Sequence, residues 1–274
     1  MTSGRSTARP DAPRFWELDA ARTVAVVMMS AYHAAYDVWF LAPSVGFDPF
    51  GGGWRALQVA TGSTFITLVG VSLAVGNGRA RARGVAGVAL WRRHARRAVE
   101  VLAAATLVSA ATRVALGPED YIRFGVLHCI GTMMLLLPLF VPLGPWVNAA
   151  LGAVALVAGF AVRGHASTVP GALVLGTPPP GGAGVDWYPL LPWGGLALIG
   201  LAVGTLAYPG GVPAPPLARA ARRLGDALGR PRLAALTWPG RHALPIYLAH
   251  QLVLVALVAA VLAVLGVAID PRTG

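Results

Sequence analysis

Long apolar stretches, separated by short segments rich in arginine, glycine or proline, dominate the sequence. Seven of them are about as long as the roughly 20 residues that an α-helix needs to cross a bilayer. They cover residues 20–42, 57–77, 98–117, 123–143, 145–163, 190–208 and 242–268. The fifth and sixth are rich in glycine and alanine, which suits close helix packing. The pattern predicts an all-α, multi-pass transmembrane helical bundle with about seven spans.

The composition agrees with a membrane protein. Hydrophobic residues make up 56% of the chain and charged residues only 12%, against about 25% charged in soluble domains. The first 13 residues contain no hydrophobic core of their own, so we interpret the first span as an internal signal. The predicted organisation is a cytoplasmic tail, residues 1–18, followed by a single transmembrane domain, residues 19–274.

The chain contains no lysine, so its 22 Lys and Arg residues are all arginines. With 11 acidic residues they give a formal net charge of +11. They cluster before the first span and in two basic cytoplasmic loops predicted near 78–97 and 209–241. Alternate threading of seven spans puts these clusters on one side, so the positive-inside rule predicts a cytoplasmic N-terminus and an external C-terminus in the inner (plasma) membrane. The charge is thereby explained without a nucleic-acid partner. The basic helical pattern of Leu217 to Leu228 suits the anionic inner leaflet.

A histidine and an aspartate interrupt the first apolar span. His33 and Asp37 are four residues apart, so they share one helix face. An ionisable group at bilayer depth costs at least about 2.5–3.5 kcal/mol and is usually functional. A carboxylate beside an imidazole orients it and raises its basicity, as a general base requires. The alternative is a structural polar pair that joins helices.

Further polar residues interrupt the other spans. His128 follows Arg123 at the start of the fourth span, and Asp186 opens an aromatic and proline-rich block that ends at Trp193. In the last span, Tyr247 precedes the pair His250 and Gln251. Threaded through the bilayer, these residues form a polar track. Such a track suits the passage of protons or a polar solute, or the joining of a cytoplasmic donor to an external acceptor.

Four blocks of the chain resemble a known family. They are Arg14 to Arg22 with His33 and Asp37, Phe65 to Leu73, Ile122 to Gly131, and Asp186 to Trp193 followed by Gly240 to Gln251. In this order they resemble the heparan-α-glucosaminide N-acetyltransferase catalytic family, especially its short bacterial members. Thr23 stands where the family signature usually has glycine. The loop 43–55 has no histidine, whereas the eukaryotic enzymes carry their catalytic histidine in the first external loop.

The resemblance implies a membrane acyltransferase. It would move an acetyl or other acyl group from cytoplasmic acyl-CoA to an envelope glycan or lipid headgroup, without a metal. His33, oriented by Asp37, would be the base, and His128 would polarise the carbonyl or shuttle the proton. Substrate-binding residues would be Arg123, Asp186, Trp193, Tyr247, His250 and Gln251. Arg92, Arg93 and Arg241 would attract the CoA phosphates, because arginine binds phosphate bidentately.

Two other functions remain open from the sequence. A proton-coupled transporter or permease would use the same His/Asp track without chemistry, and a non-catalytic membrane protein would use it structurally. Inverted repeats would favour the transporter, and no internal repeat is clear in the sequence. Besides the lipid bilayer and the acceptor, a homodimer is a further partner expectation.

Overall fold

A computed structural model describes residues 14–272, so most of the predicted tail 1–18 lies outside the described residues. Its α-helices are α1 (Trp16–Leu41), α2 (Gly52–Ala82), α3 (Gly87–Asp120), α4 (Val126–Phe140), α5 (Gly144–Ala161), α6 (Ala172–Leu175), α7 (Leu190–Ala207), α8 (Pro215–Arg241) and α9 (Ala243–Val264). No β-strand occurs within this described part of the chain. The predicted all-α class is confirmed.

Six helical segments are long and apolar enough to span a membrane, and one of them, Val126–Ala161, contains both α4 and α5. A short 3-10 turn separates these two helices, and Gly144 has a φ of 79° that an α-helix does not allow. Both helices lie against α7. Gly125, just before α4, lies beside Asp186, just before α7, and Met133 on α4 lies beside Gly194 on α7. On α5, Gly152 and Gly159 lie beside Ile199 and Pro192. The two helices therefore run in opposite directions, so the described residues contain seven apolar helices, which is consistent with the predicted number of about seven spans.

The ends of the spans gather at two opposite ends of the bundle. Tyr208, just after α7, donates a hydrogen bond of 3.0 Å to Glu17 at the start of α1. Arg79, near the end of α2, lies 4.0 Å above the ring of Phe15. At the other end, the N–H of Asp270 donates to the carbonyl of Leu41, where α1 ends, over 3.0 Å. We call the end that contains Glu17, Arg79 and Tyr208 the arginine-rich end. The opposite end, which contains Leu41 and Asp270, is called the loop end.

The two basic segments at the arginine-rich end are mostly helical. Most arginines of 78–97 lie on the last turns of α2 and the first turns of α3, and Arg83 lies in the turn at residues 83–86 that joins the two helices. Most of 209–241 is α8, which bends at Gly229, where φ is 73°. The C-terminal part of α8 packs on α1, and Thr23 Oγ1 accepts a hydrogen bond of 2.9 Å from the N–H of Gly240.

Glycines let α7 lie against α2 and α5 at the centre of the bundle. A Cβ atom on Gly200 would collide with the carbonyl of Thr67, and one on Gly195 would lie 2.5 Å from the carbonyl of Gly152. Inside lipid no hydrophobic driving force brings helices together, so the close packing that such small residues allow stabilises the contact. The main core lies beside these contacts and contains the fully buried side chains of Ile66 and Leu201.

Candidate active site

Two histidine rings meet inside the bundle where α1 contacts α9. The ring centroids of His33 and His250 are 4.7 Å apart, and the ring planes are inclined at 82°. His33 is eight residues before the end of α1, or about 12 Å from the loop end at about 1.5 Å per residue. The chain therefore brings together two imidazoles that are more than 200 residues apart in sequence.

Backbone carbonyls fix the tautomer of both rings. His33 Nδ1 lies 2.9 Å from the carbonyl oxygen of Met29, and His250 Nδ1 lies 2.5 Å from that of Tyr247. A carbonyl oxygen only accepts hydrogen bonds, so each Nδ1 must carry the hydrogen and donate it. In the neutral rings each Nε2 then keeps its lone pair. An unprotonated ring nitrogen with a free lone pair is what a general base requires.

Asp37 does not orient His33, contrary to the expectation from their spacing. Its Oδ1 accepts a hydrogen bond of 2.5 Å from Gln251 Nε2 on α9, while the carbonyl of Met29, one turn before His33, holds the imidazole. Because Gln251 follows His250 directly, the Asp37–Gln251 bond ties α9 to α1 and holds His250 beside His33. We therefore expect Asp37 to position the second histidine.

The site around His33 and His250 contains hydrogen-bond acceptor atoms that have no donor. Asp37 Oδ2, Gln251 Oε1 and His250 Nε2 are all buried and have no hydrogen-bond partner among the described residues. Buried polar atoms in native proteins nearly always have a partner, and an unsatisfied one costs about 1–3 kcal/mol. The arrangement therefore suits a bound molecule that offers several O–H or N–H groups.

His128 is held differently from His33 and His250. Its Nδ1 accepts a hydrogen bond of 3.2 Å from the N–H of Gly125, which caps the start of α4. The opposite nitrogen, Nε2, therefore carries the hydrogen and lies 3.5 Å from Ser109 Oγ. The lone pair that a base would use is already engaged in this cap.

Asp186 also supports the start of α4. Its Oδ2 accepts a hydrogen bond of 3.2 Å from the N–H of Val126, the first residue of the helix. A carboxylate at a helix N-terminus interacts favourably with the unpaired N–H groups there. Burial nevertheless raises the pKa of Asp186 to about 6, and the Val126 N–H opposes this shift only in part.

Arg123 fastens the loop end of the bundle. Its guanidinium donates to the carbonyl oxygens of Gly182, Pro118 and Glu119 over 2.9–3.2 Å. The two residues expected to position an acceptor, Asp186 and Arg123, thus both hold connecting segments together.

Trp193 and Tyr247 pack on the main core. The Trp193 ring lies 4.5 Å from that of Tyr188, and the Tyr247 ring lies 5.5 Å from that of His250. Of these two expected substrate-binding residues, Tyr247 is therefore in contact with the histidine pair.

A cleft of about 240 Å³ opens toward the arginine-rich end, between α1, α2, α3, α4 and the start of α9. Its polar lining residues are Arg22, Ser72, Arg93, His94 and Arg97. Its apolar lining includes Phe65, Leu68, Val69, Leu73, Ile130 and Met134. Cationic groups at one side and an apolar wall at the other suit a molecule with phosphates and a less polar arm.

The three arginines expected to bind CoA phosphates do not lie together in the structure. Arg93 lines the cleft, whereas Arg92 does not. Arg241 Nε lies 3.5 Å from Asp19 Oδ2, and Asp19 Oδ1 forms an ion pair with Arg22 at 2.6 Å. Arg241 therefore lies outside the cleft, and the Asp19 carboxylate connects it to the lining residue Arg22.

Sequence reasoning missed His94 and Asn77. His94 Nε2 lies 2.7 Å from Asn77 Oδ1, and both side chains are buried where α2 faces α3 beside the cleft. Arg93 and Arg97, one turn apart on either side of His94, carried a detectable signal: a basic helix face with a histidine within it.

The cleft and the histidine pair lie on the same faces of two helices. Along α1, His33 comes 11 residues after Arg22, and along α9, His250 comes seven residues after Ala243. Both separations are close to whole numbers of helical turns of about 3.6 residues. A molecule that extends from the cleft along these faces would reach the imidazoles.

The described residues 14–272 contain no group of three or more His, Cys, Asp or Glu side chains placed to hold a metal ion. A family model for the catalytic region of heparan-alpha-glucosaminide N-acetyltransferase matches residues 14–252. No curated protein and no solved structure matches the chain.

Proposed function

The chain belongs to the heparan-alpha-glucosaminide N-acetyltransferase catalytic family, and we propose that it transfers an acyl group from acyl-CoA to a hydroxyl or amine of an envelope glycan or lipid. The observation that carries this proposal is the histidine pair with two unprotonated Nε2 atoms. It lies on the helix faces that continue from an arginine-lined cleft.

In this proposal the cleft holds the donor. Arg93 and Arg97 bind CoA phosphates, and the apolar wall receives the arm that leads to the thioester. The positive-inside rule puts the arginine-rich end in the cytoplasm of a plasma membrane, where acyl-CoA is made. The acceptor enters from the loop end, which is then external. Its O–H or N–H groups meet the surplus acceptor atoms Asp37 Oδ2 and Gln251 Oε1.

His33 Nε2 removes the proton from the acceptor oxygen or nitrogen as this atom attacks the thioester carbonyl carbon. The new C–O or C–N bond forms, the C–S bond breaks, and His33 returns the proton to the departing thiolate to give free CoA. Holding both reactants in this geometry converts a bimolecular reaction into one within a single complex. His250 Nε2 accepts a second hydrogen bond from the acceptor and orients it.

The test is acyl transfer by purified, reconstituted protein supplied with labelled acetyl-CoA and a panel of amino sugars and lipids. General-base catalysis contributes about 10²–10⁴-fold, so His33→Gln should reduce kcat by that order without raising the KM for acetyl-CoA. His250→Gln should give a smaller loss. His242→Gln is the matched control, since His242 is an exposed imidazole at the start of the same helix. Near-wild-type turnover in His33→Gln would rule out His33 as the base.

Proton-coupled transport is the second candidate, because His250 Nε2 and Asp37 Oδ2 are buried without a hydrogen-bond partner among the described residues, and such groups also suit proton relay. Sealed vesicles distinguish the two functions. A transporter would move protons or solute without acyl-CoA, whereas the transferase would leave the lumen unchanged until acyl-CoA and acceptor are both present.

A further inference from the structure

The N-terminal part of α8, Pro215 to Leu228, is a separate amphipathic helix that ends at the bend at Gly229. Its leucines and one alanine recur at the spacing of a single helix stripe: Leu217, Ala221, Leu224 and Leu228. All its charged residues lie on the other side: Arg219, Arg222, Arg223 and Asp226. We call these two surfaces the leucine stripe and the charged face.

The leucine stripe faces the membrane-embedded part of the protein. Leu217 packs with Val71, Val75 and Tyr208 at the arginine-rich ends of α2 and α7. Further along the stripe, Leu224 is 54% exposed. The stripe therefore packs on the protein at Leu217 and keeps an exposed leucine further along, where the next residue, Gly225, lies beside Trp16 at the start of α1.

The charged face has two arginines at its edges, nearest the leucine stripe. With about 100° of rotation per residue, Arg222 and Arg223 lie about 130° from the stripe on opposite sides. Arg219 and Asp226 lie almost opposite the stripe. Long arginine side chains extend along an apolar surface and keep their charge in the polar layer. Arg222 and Arg223 can therefore reach phosphates on both flanks of the helix.

We propose that this helix binds anionic phospholipid, with the exposed Leu224 of the leucine stripe among the acyl chains and Arg222 and Arg223 on headgroup phosphates. The charge favours this occupant, because the helix carries three arginines and one acidic residue, Asp226, and basic residues near an anionic surface are attracted to it. The proposal is independent of acyl transfer, since it concerns a surface outside the cleft and the histidine pair.

A fluorophore on single introduced cysteines tests this in full-length protein. Cys129 is the only cysteine and is fully buried, so unmutated protein gives the labelling background. Leu224→Cys reports from the stripe and Asp226→Cys from the charged face. Vesicles contain equal parts of phosphatidylcholine and phosphatidylglycerol, with a quencher attached to the acyl chain of one lipid or the other. The ratio of the two quenching strengths measures how strongly anionic lipid is enriched beside the label.

We expect quenching at position 224 and little at 226, with a ratio that favours phosphatidylglycerol severalfold. Arg222→Gln or Arg223→Gln should lower the ratio by up to about fivefold each, the equivalent of 1 kcal/mol. Arg219→Gln removes the same charge from the centre of the charged face and should change it least. A label at Val154→Cys, on the exposed surface of α5, should give a ratio near one in every variant and confirms insertion.

Three outcomes would overturn the proposal. Absence of quenching at position 224 would place the helix away from the bilayer. Equal quenching by both lipids would show that the helix lies at the membrane interface but does not prefer the anionic lipid. An equal effect of Arg219→Gln and Arg222→Gln would show that only the total charge matters, without phosphate contacts on the flanks.

Discussion

The hydrogen bond between Asp37 and Gln251 should couple the stabilities of α1 and α9. Asp37 is 1% exposed, and Gln251 Nε2 donates to its Oδ1 over 2.5 Å. Hydrogen bonds to charged groups contribute about 1.5–3 kcal/mol, whereas those between membrane helices average about 0.6 kcal/mol. Because a buried carboxylate accepts this bond, we expect a coupling energy of about 1.5–3 kcal/mol.

A double-mutant cycle with Asp37→Ala and Gln251→Met measures this coupling. Each single variant should lower the free energy of unfolding, because it leaves the other side chain buried without its partner. The double variant should be less destabilised than the sum of the two. Volume changes occur in the single and double variants alike, so they cancel in the cycle. Unfolding in detergent, followed by tryptophan fluorescence, provides the stabilities.

The matched control replaces Gln251→Met by Leu252→Ala, the next residue, which is 79% exposed. Its coupling to Asp37→Ala should stay within about 0.5 kcal/mol. Asp37→Ala should also lower kcat, because His250 loses its position, and leave the KM for acetyl-CoA unchanged. A coupling below about 0.5 kcal/mol for Asp37 with Gln251, in folded protein, would refute the positioning role of Asp37.

Three further outcomes follow from other parts of the structure. Arg93→Gln should weaken acyl-CoA binding about tenfold, the equivalent of one charge-assisted hydrogen bond, while Arg92→Gln, outside the cleft, should change it little in calorimetry. The folded-state pKa of Asp186 is raised from 3.8 to about 6. Between about pH 4 and 6 the folded state therefore binds this proton more tightly than the unfolded state, so wild-type stability should fall as the pH rises through that range. In thermal unfolding, Asp186→Asn should lose this pH dependence. Gly200→Val should lower Tm or prevent folding, because its Cβ meets the carbonyl of Thr67; an unchanged Tm would contradict this contact.

The positions of the spans could be predicted from hydropathy, but their ends could not. The second and third predicted spans, 57–77 and 98–117, lie inside the longer helices Gly52–Ala82 and Gly87–Asp120. Hydropathy detects only the part of a helix that lies in lipid. Backbone hydrogen bonds continue the helices into arginine-bearing turns such as Arg92 to Arg97, where the arginine side chains are exposed.

The candidate site could be predicted only in part, because its contacts connect distant helices. The i, i+4 spacing correctly put His33 and Asp37 on one face of α1. It could not reveal that Met29, four residues on the other side of His33, accepts the imidazole hydrogen. Nor could it reveal that Asp37 bonds to a glutamine on α9. Local spacing gives the residues within reach, and tertiary packing decides which of them pair.

The hydrogen bonds of the histidines narrow the choice of base. The chain has six histidines, and none of them lies in loop 43–55. His165 and His242 are exposed. His94 is bonded to Asn77, and the Nδ1 lone pair of His128 caps α4. His33 and His250 alone combine a position inside the bundle with an unengaged Nε2. His128 could act as base only by giving up its cap, so an active His33→Gln/His250→Gln variant would require the start of α4 to rearrange.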